Sequence, residues 1–357
     1  NPTYKTNQMQ IGQFMADALQ MNELERHQLN VLYRASGIQT RYSVLEDYSK
    51  ADGYKFYPNT LDLEPFPTVE KRMSIYEREA IELSKQAIQN TLPSDFDLQS
   101  ISHLITVSCT GMYAPGIDIE LIQQMGLPTN TQRTAINFMG CYAAFNALKS
   151  AYHIIKSEPN AKVLIVAVEL CSLHFQKTKD EDTLLANALF GDGAAAVLLS
   201  SQSNEKTASL SIENFYSDLA FDGVQEMAWR ISDNGFEMRL SSKIPEIVQA
   251  NITTLIERLL SQLSLSTEQI SHFAIHPGGR KILRVIEQEL GISRTCNRFA
   301  YEVLKEYGNM SSPTVLFVMQ KVLENLTTLD HGNHMLSLAF GPGLTLESML
   351  LNIHYAN

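Results

Sequence analysis

Apolar runs separated by polar stretches divide the chain into alternating strands and helices. The clearest runs, residues 101–105 and 270–274, each follow a short polar segment and lie 169 positions apart. Continuous apolar runs of this length, flanked by polar residues, are typical of buried β-strands. Two more such runs, at 163–168 and 335–340, predict strands further along the chain. The pattern therefore predicts an α/β protein whose central strands are buried.

The offset of 169 residues recurs in the segments that follow these strands. It carries Cys141 onto Met310, which adjoins Asn309, and a predicted helix begins at each place after a glycine-containing turn. The two helices are predicted at 141–155 and 312–326. Four features in the same order, at offsets of 169 to 172 residues, indicate an internal duplication rather than a chance match.

The duplication predicts two α/β halves of similar topology, residues 1–210 and 211–357. In such a fold the two central helices begin near a pseudo-twofold axis. Cys141 and Asn309 would then meet where the halves join, and ligands commonly bind at strand ends near such a join.

Composition and charge narrow the class of protein. Hydrophobic residues make up 44% of the chain and charged residues 19%, as in ordinary globular enzymes. The formal net charge of −11 argues against a nucleic-acid or anionic-membrane partner. No membrane-spanning run or signal-peptide pattern is present, so a cytoplasmic protein is expected. Because the chain opens on Asn1 rather than methionine, a few leading residues are expected to be missing.

One of the four cysteines stands in a setting that suits a nucleophile. Four cysteines are too few for a disulfide scaffold, and without a Cys-x-x-Cys pair a zinc site is not expected. Cys141 follows Gly140 at a predicted helix start, where unpaired N–H groups and the helix dipole favour an anion. A thiol there is expected to have a lowered pKa and to react as a nucleophile. The alternative is a small buried core thiol.

A histidine and an asparagine extend this candidate site. His276 follows the predicted strand 273–275 and precedes Pro277-Gly278-Gly279, so its side chain is expected to face a cleft. Asn309 lies just before the second predicted helix. Taken alone, an asparagine at that place is better explained as the N-cap of the helix.

These motifs resemble those of the chalcone-synthase-like type III polyketide synthases. The match covers nearly the whole chain in the family order. It comprises Cys141, residues 276–279, residues 307–312, the segment 188–196 with its Gly-Asp-Gly turn, and the glycine loop at 340–344. The resemblance implies the thiolase fold, a duplicated five-layer αβαβα architecture, and a homodimer. It also implies an acyltransferase with Cys141, His276 and Asn309 as its catalytic residues.

The chemistry implied by the resemblance is decarboxylative Claisen condensation on coenzyme A thioesters, without an acyl carrier protein. Cys141 would hold the starter acyl group, and His276 would keep the thiol ionised as a Cys–His pair. Asn309 and His276 would donate hydrogen bonds to the malonyl-CoA carbonyl and stabilise the enolate left by loss of CO2. The lengthened polyketide would cyclise in the same pocket. No metal and no cofactor is expected, since these donors supply the electrophilic role.

The resemblance also implies which residues shape the pocket. Phe190 is expected to be a gatekeeper rather than a core phenylalanine. Met238, where the family has a second aromatic gatekeeper, would make a softer gate. The loop Gly341-Pro342-Gly343 is expected to shape the cavity wall. His174 either lines the cavity or turns into a polar network behind it, and Ala114 takes the place from which a dimer partner reaches the other cavity.

Two further cysteines bear on the product. Cys109 and Cys171 take cavity positions that are usually threonine in the plant enzymes. The pair resembles bacterial synthases that make tetrahydroxynaphthalene from malonyl-CoA alone, and a thiol at Cys171 also occurs in bacterial enzymes that extend fatty acyl starters. Since each buried CH2 gains roughly 0.8 kcal/mol, a roomy apolar cavity favours a fatty acyl-CoA starter. We expect an alkylpyrone or alkylresorcinol product, with the malonyl-only synthase as the alternative.

The coenzyme A entrance departs from the plant enzymes. The positions of the basic residues that the plant enzymes have on an early helix are occupied here by the uncharged Gln28, Val31 and Ala35. The nearby candidates to bind the phosphates are Arg34, Arg280 and Lys281.

Two other functions remain open from the sequence. A ketoacyl-synthase-III-like condensing enzyme shares the Cys-His-Asn chemistry. The Pro-Gly-Gly after His276 argues against it, as does the acidic composition, which suits an acidic carrier protein poorly. A non-catalytic thiolase-fold protein that binds acyl-CoA is disfavoured because all three catalytic positions are occupied as in the family.

Overall fold

Two four-stranded β-sheets form the framework of the protein. The structure is a computed structural model that describes residues 1–202 and 208–355. None of the described helices is both long and apolar enough to cross a membrane. The strands are β1 (Tyr4–Asn7), β2 (Thr40–Ser43), β3 (His103–Ser108), β4 (Gln132–Asn137), β5 (Lys162–Leu170), β6 (Asp192–Ser200), β7 (Ser209–Leu219), β8 (Met227–Ser232), β9 (Gly235–Leu240), β10 (Ile270–Ile275), β11 (His334–Gly341) and β12 (Thr345–His354). The helices are α1 (Gln8–Ala18), α2 (Glu23–Ala35), α3 (Val69–Thr91), α4 (Ile117–Met125), α5 (Ala143–Ser157), α6 (Glu181–Leu189), α7 (Ile244–Ser261), α8 (Arg280–Leu290), α9 (Arg298–Tyr307) and α10 (Pro313–Glu324).

The two sheets repeat one three-stranded motif. In the first sheet β3 pairs in parallel with β5, and β5 pairs antiparallel with β6. In the second sheet β10, β11 and β12 pair in the same order and directions. The first sheet adds β4 at its edge beside β3, and the second adds β7 beside β12. A central helix, α5 or α10, precedes the second parallel strand of each motif, so the predicted duplication is confirmed.

Strand β5 shows why its sheet is buried on both faces. Val163, Ile165 and Ala167 belong to the apolar cluster that contains α5, whereas Leu164 and Val166 belong to the cluster that contains α3. Helices α5 and α10 contact strands of both sheets and so lie between them. Helix α3 packs on the first sheet and α7 on β7 and β12 of the second. The result is the five-layer αβαβα architecture expected from the resemblance.

Both central helices begin later than the sequence predicts. Helix α5 starts at Ala143, after a single 3-10 turn, Gly140–Tyr142, that contains Cys141. Helix α10 starts at Pro313, whose fixed φ and missing N–H suit the first helical position. Cys141 and Asn309 therefore stand on the turns that lead into these helices, not in their first turns.

Candidate active site

Cys141 stands on a tight turn that depends on Gly140. Phe138 and Gly140 have φ angles of 59° and 73°, and a Cβ at Gly140 would come within 2.2 Å of the Pro342 ring. Only glycine fits there, because both the backbone conformation and the space exclude a side chain. The Gly140 N–H donates to the Cys109 Sγ at 2.9 Å and fixes the turn from its other side. The turn thus holds the Cys141 thiol in an enclosed site, where the side chain is 5% exposed.

Asn309 reaches this thiol from the second half of the chain. Its side-chain amide atoms lie 3.9 Å and 4.0 Å from the Cys141 Sγ. Its Oδ1 accepts the Ser311 N–H at 2.8 Å, which leaves the NH2 group to donate elsewhere. The N-cap of α10 is Ser312, so the interpretation of Asn309 as a helix cap is wrong. Its amide is available to a ligand held beside the thiol.

His276 ends strand β10 inside the protein. Its N–H donates to the Leu338 carbonyl at 2.8 Å, and its ring packs edge-on against Phe340. The side chain is 0% exposed, so the expectation that it faces an open cleft is wrong. Neither ring nitrogen has a hydrogen-bond partner among the described residues. Buried polar atoms are normally paired, so these nitrogens are available to a bound ligand.

Burial keeps the thiol and the imidazole uncharged in the free protein. Loss of hydration raises the pKa of Cys141 to about 12 and lowers the pKa of His276 to about 3. Hydrogen bonds from Ser311 and Asn309 act in the opposite direction on the thiol, but burial dominates. The expected lowered thiol pKa and the standing Cys–His ion pair are therefore not found.

We expect alkylation of Cys141 by iodoacetamide to depend strongly on pH. Because only the thiolate reacts and burial raises its pKa to about 12, the rate should rise about tenfold per pH unit between about pH 6 and pH 9. Peptide mass spectrometry would follow each cysteine separately, with the exposed Cys296 as an internal comparison. A fast rate that does not change over this range would instead indicate a standing ion pair.

A buried carboxylate that the sequence did not single out joins the two catalytic turns. Glu169 accepts hydrogen bonds from the Cys109 N–H at 2.9 Å, the Thr110 hydroxyl at 2.9 Å and the Ser312 hydroxyl at 2.7 Å. Burial raises its pKa. Because Cys109 holds the Cys141 turn and Ser312 leads into α10, Glu169 fixes the two turns relative to each other. Its one sequence signal is an acidic residue within an otherwise apolar strand.

A cavity of about 840 Å³, including its open mouth, extends from the Cys141 turn. Of the residues predicted from the sequence, those that line it are Cys109, Cys171, His174, Phe190, Met238 and Pro342. Sequence reasoning missed other lining residues, notably Ile11, Met15, Tyr48, Phe175, Trp229 and Phe236.

Two glycines expected at the cavity lie outside its wall. Gly341 packs against the nucleophile turn, where a Cβ would come within 3.1 Å of the Cys141 nitrogen. Gly343 does not line the cavity, so Pro342 alone represents this loop there. Ala114 is exposed on the surface, and its expected place beside a dimer partner's cavity stays a prediction. The glycine loop therefore shapes mainly the turn that carries the thiol, and it contributes less to the cavity wall.

His174 lines the cavity and is also held in a hydrogen-bond network. Its Nε2 donates to the Thr110 carbonyl at 2.7 Å, and its Nδ1 accepts the Phe236 N–H at 3.0 Å. The ring stacks on Phe236 with the centroids 4.2 Å apart, and burial lowers its pKa to about 3. With both nitrogens occupied, this neutral ring supports the wall and has no free atom for a polyketide carbonyl. His174 thus takes both of the places expected for it, in the cavity lining and in the polar network.

The cavity thiols are uncharged. Burial raises the pKa of Cys109 and Cys171 well above the ordinary value for cysteine. Both side chains therefore line the cavity as small, nearly apolar groups. In the described part of the chain, no group of three or more His, Cys, Asp or Glu side chains is arranged to hold a metal ion.

The main chain at Phe190 is hydrogen-bonded to that of Asn309. Phe190 forms a parallel β-bridge with Asn309. The Asn309 N–H donates to the Leu189 carbonyl and the Gly191 N–H donates to the Asn309 carbonyl, both at 2.9 Å. Arg41, which sequence reasoning missed, donates to the Phe190 carbonyl. The half-buried ring itself lines the cavity, unlike a core phenylalanine.

The three cations predicted at the coenzyme A entrance have different surroundings. Arg34 and Lys281 are exposed. Arg280 is half-buried and packs over Gly37, where a Cβ would lie 3.2 Å from its Cδ.

Comparison with known proteins matches nearly the whole chain to one family. The models of the N-terminal and C-terminal domains of chalcone and stilbene synthases match residues 7–203 and 217–354. The chain is 29% identical over 334 residues to "Alpha-pyrone synthesis polyketide synthase-like Pks18" of Mycobacterium tuberculosis, covering 92% of this chain and 83% of that protein.

Two solved structures extend the match to the fold. PKS-I of the brown alga Ectocarpus siliculosus superposes with a TM-score of 0.88 at 29% identity, covering 99% of this chain and 95% of the other. The 1,3,6,8-tetrahydroxynaphthalene synthase of Streptomyces coelicolor, a bacterial type III polyketide synthase, superposes with a TM-score of 0.85 at 25% identity, covering 99% and 97%. The chain therefore belongs to the chalcone and stilbene synthase family of type III polyketide synthases, which are acyltransferases.

Proposed function

We propose that the protein loads an acyl group from a coenzyme A thioester onto Cys141 and extends it with malonyl-CoA. The observation that carries this proposal is the meeting of the Cys141 thiol and the Asn309 amide from the two halves of the chain. The Asn309 amide lies within 4.0 Å of the Cys141 Sγ, and the buried His276 ring offers two unpaired nitrogens. A thiol beside an amide donor suits acyl transfer followed by enolate formation, and the proposal assigns the imidazole of His276 to the same reaction.

Loading begins from neutral groups. His276 takes the proton of Cys141 as the sulfur attacks the thioester carbonyl, and a new C–S bond forms to the cysteine. Coenzyme A leaves as a thiolate and receives that proton from the imidazole. Because burial disfavours charge on both side chains, the ion pair exists only while substrate is present to stabilise it.

Extension uses the same donors on a second substrate. Asn309 and His276 donate to the thioester oxygen of malonyl-CoA, and the bond to the departing CO2 breaks. Its electron pair forms an enolate, whose negative oxygen these donors stabilise. The enolate carbon attacks the acyl group on Cys141, a C–C bond forms, and the C–S bond to the cysteine breaks. The cysteine leaves as a thiolate and takes up a proton from water, which restores the neutral thiol from which the next loading begins. No metal or other cofactor takes part in this scheme.

The starter is a fatty acyl-CoA, and the product is an alkylpyrone or alkylresorcinol. Apolar side chains such as Ile11, Met15 and Phe175 line the cavity beyond the cysteine, and each buried CH2 gains roughly 0.8 kcal/mol. A relative named for alpha-pyrone synthesis supports this choice. The second candidate is a synthase that uses malonyl-CoA alone, favoured by the paired cavity thiols and by the likeness to tetrahydroxynaphthalene synthase.

A panel of starters tests both candidates. Purified protein would be incubated with malonyl-CoA, alone and with acyl-CoAs from acetyl to palmitoyl, and the products identified by mass spectrometry. We expect polyketides whose mass follows that of a long starter. Product from malonyl-CoA alone would favour the second candidate. Turnover only with an acyl carrier protein, or no product at all, would contradict the proposed function.

A homodimer built on strand β4 belongs to this proposal. The strand is the edge of its sheet, and five of its six residues are exposed. An open edge offers unpaired N–H and C=O groups to a second chain. Beside it, Met112 and Ile119 are 46% and 41% exposed. Analytical ultracentrifugation should give twice the chain mass of 40.0 kDa, and a monomer at micromolar concentration would contradict the dimer.

A further inference from the structure

Two side chains in the wall of the cavity have buried polar atoms without a partner. Thr6 on β1 and Arg41 on β2 lie directly opposite each other in the antiparallel pair, so their side chains project from the same face. Both line the cavity that extends from the Cys141 turn. The Thr6 Oγ1 and the Arg41 Nη2 are buried, and neither forms a hydrogen bond with a described residue. We call these two side chains the polar pair.

The guanidinium of Arg41 is held by the protein through two of its three nitrogens. Its Nε donates to the Gln8 Oε1 at 2.8 Å, and its Nη1 donates to the carbonyls of Asn187, at 2.8 Å, and Phe190. The Tyr33 ring lies 5.9 Å from the guanidinium carbon, and the Tyr33 hydroxyl donates to the Asn187 carbonyl at 3.3 Å. These contacts fix the guanidinium plane and leave the two N–H bonds of Nη2 for a ligand.

The charges around the polar pair favour a neutral oxygen over a carboxylate. Asp192 acts on the Arg41 guanidinium through space, and burial raises the pKa of Asp192 to about 6. Its carboxylate accepts hydrogen bonds from Val44 and Ser172 rather than from Arg41. At neutral pH Asp192 is mostly ionised and offsets the charge of Arg41. A second carboxylate would leave a buried net negative charge, which is costly, whereas a hydroxyl adds none.

The polar pair lies in a part of the wall that is otherwise made apolar by α1. Ile11 and Met15 line the cavity with it, and none of these four residues belongs to the turn that carries Cys141. The methylenes of an acyl chain on Cys141 suit this wall, but a methyl end at the polar pair would leave both polar atoms unpaired. A hydroxyl there accepts a hydrogen bond from the Arg41 Nη2 and shares one with the Thr6 Oγ1, so it satisfies both.

We infer that the polar pair selects starter acyl groups that carry a hydroxyl near the far end of the chain. This inference rests on the proposed function, because it refines the fatty acyl-CoA starter named there. Such a starter is supplied by a reaction that hydroxylates a fatty acyl chain. The hydroxyl takes no part in loading or extension, so the side chain of the product retains it.

Matched pairs of starters test the inference. Each acyl-CoA from hexanoyl to dodecanoyl would be compared with the acyl-CoA of the same length that carries an ω-hydroxyl. At the chain length that reaches the polar pair, kcat/KM should be roughly tenfold higher for the hydroxylated starter, since it gains hydrogen bonds to a charged buried donor. The ω-carboxylated starter of that length should be used less well than the hydroxylated one. A preference for the carboxylate would contradict the neutral oxygen inferred here.

The variant Thr6→Val locates the preference at the polar pair. It removes the hydroxyl without removing a side-chain hydrogen bond of the described protein, and both side chains are β-branched. The preference for the hydroxylated starter should fall at least threefold, by roughly the worth of one hydrogen bond. The matched control is Thr253→Val on α7, which removes another buried hydroxyl without a partner, outside the cavity. This control should keep the full preference.

Calorimetry on the Cys141→Ala protein separates this inference from the proposed function. Without the thiol the acyl group is not loaded, so the measurement reports binding alone. If a hydroxylated acyl-CoA binds about tenfold more tightly than its matched partner, the assignment of the polar pair stands even if no polyketide is formed. Equal affinity within every pair would overturn it. A loss of equal size for both starters in the Thr6→Val protein would also overturn it, because the polar pair would then contact coenzyme A or the growing chain.

Discussion

Replacement of Cys141 by alanine is expected to abolish polyketide formation. The acyl chain then has no covalent site, and loss of a nucleophile of this kind lowers turnover by about 10⁶-fold. Decarboxylation of malonyl-CoA to acetyl-CoA should continue, because Asn309 and His276 still offer donors to the thioester oxygen. Both reactions can be followed in one incubation by mass spectrometry of the products and of the coenzyme A esters.

The exposed Cys296 supplies the matched control for this experiment. Cys296→Ala removes a thiol of the same chain without touching the cavity, so both reactions should proceed at the wild-type rate. Polyketide formation by the Cys141→Ala protein would contradict the assignment of the nucleophile. Loss of decarboxylation together with condensation would mean that the thiol itself takes part in forming the enolate.

Replacement of Asn309 by alanine is expected to slow decarboxylation and condensation but to leave loading of the starter nearly unchanged. Removing one donor to a developing oxyanion costs about 10²–10³-fold in rate, so decarboxylation and condensation should fall together by that amount. Loading of the starter onto Cys141 should change by only a few-fold, since that step needs the thiol and the imidazole. Intact-protein mass spectrometry measures the loading, and product analysis measures the other two steps.

A surface asparagine provides the comparison for this variant. Asn90 is exposed on α3, and Asn90→Ala should change none of the three steps. The melting temperature of the Asn309 variant should be measured as well, because its Oδ1 accepts the Ser311 N–H. If loading fails while decarboxylation survives, the Asn309 amide acts on the acyl carbonyl during loading. That result would contradict the role proposed for Asn309 in decarboxylation and condensation.

The framework was predictable from the sequence because it depends on local patterns that repeat. Apolar runs at similar offsets predicted the duplicated sheets, and the turns with Gly140 and Gly308 indicated where the catalytic residues stand. Burial at the site was not predictable in the same way. Whether the residue after a strand faces water depends on distant segments, so His276 was expected to be exposed and Cys141 to be ionised.

Residues that act across the two halves were the hardest to recognise. Glu169 is one acid in an apolar strand, and only its contacts with Thr110 and Ser312 reveal its role. Arg41 looks like an ordinary strand residue in the sequence. Its side chain packs beside Gly308 of the second half and lines the cavity next to Thr6, which no local pattern predicts.

The bridge between Phe190 and Asn309 limits how the main chain at Phe190 can move. The main chain on both sides of Phe190 is hydrogen-bonded to Asn309, and Arg41 holds the Phe190 carbonyl. A hinged loop at this point would pull the Asn309 amide away from the Cys141 thiol each time it opened. The gatekeeper role expected for Phe190 would therefore require its ring to turn about its own side-chain bonds. Passage of a substrate would then be a side-chain motion that leaves Asn309 and Cys141 in place.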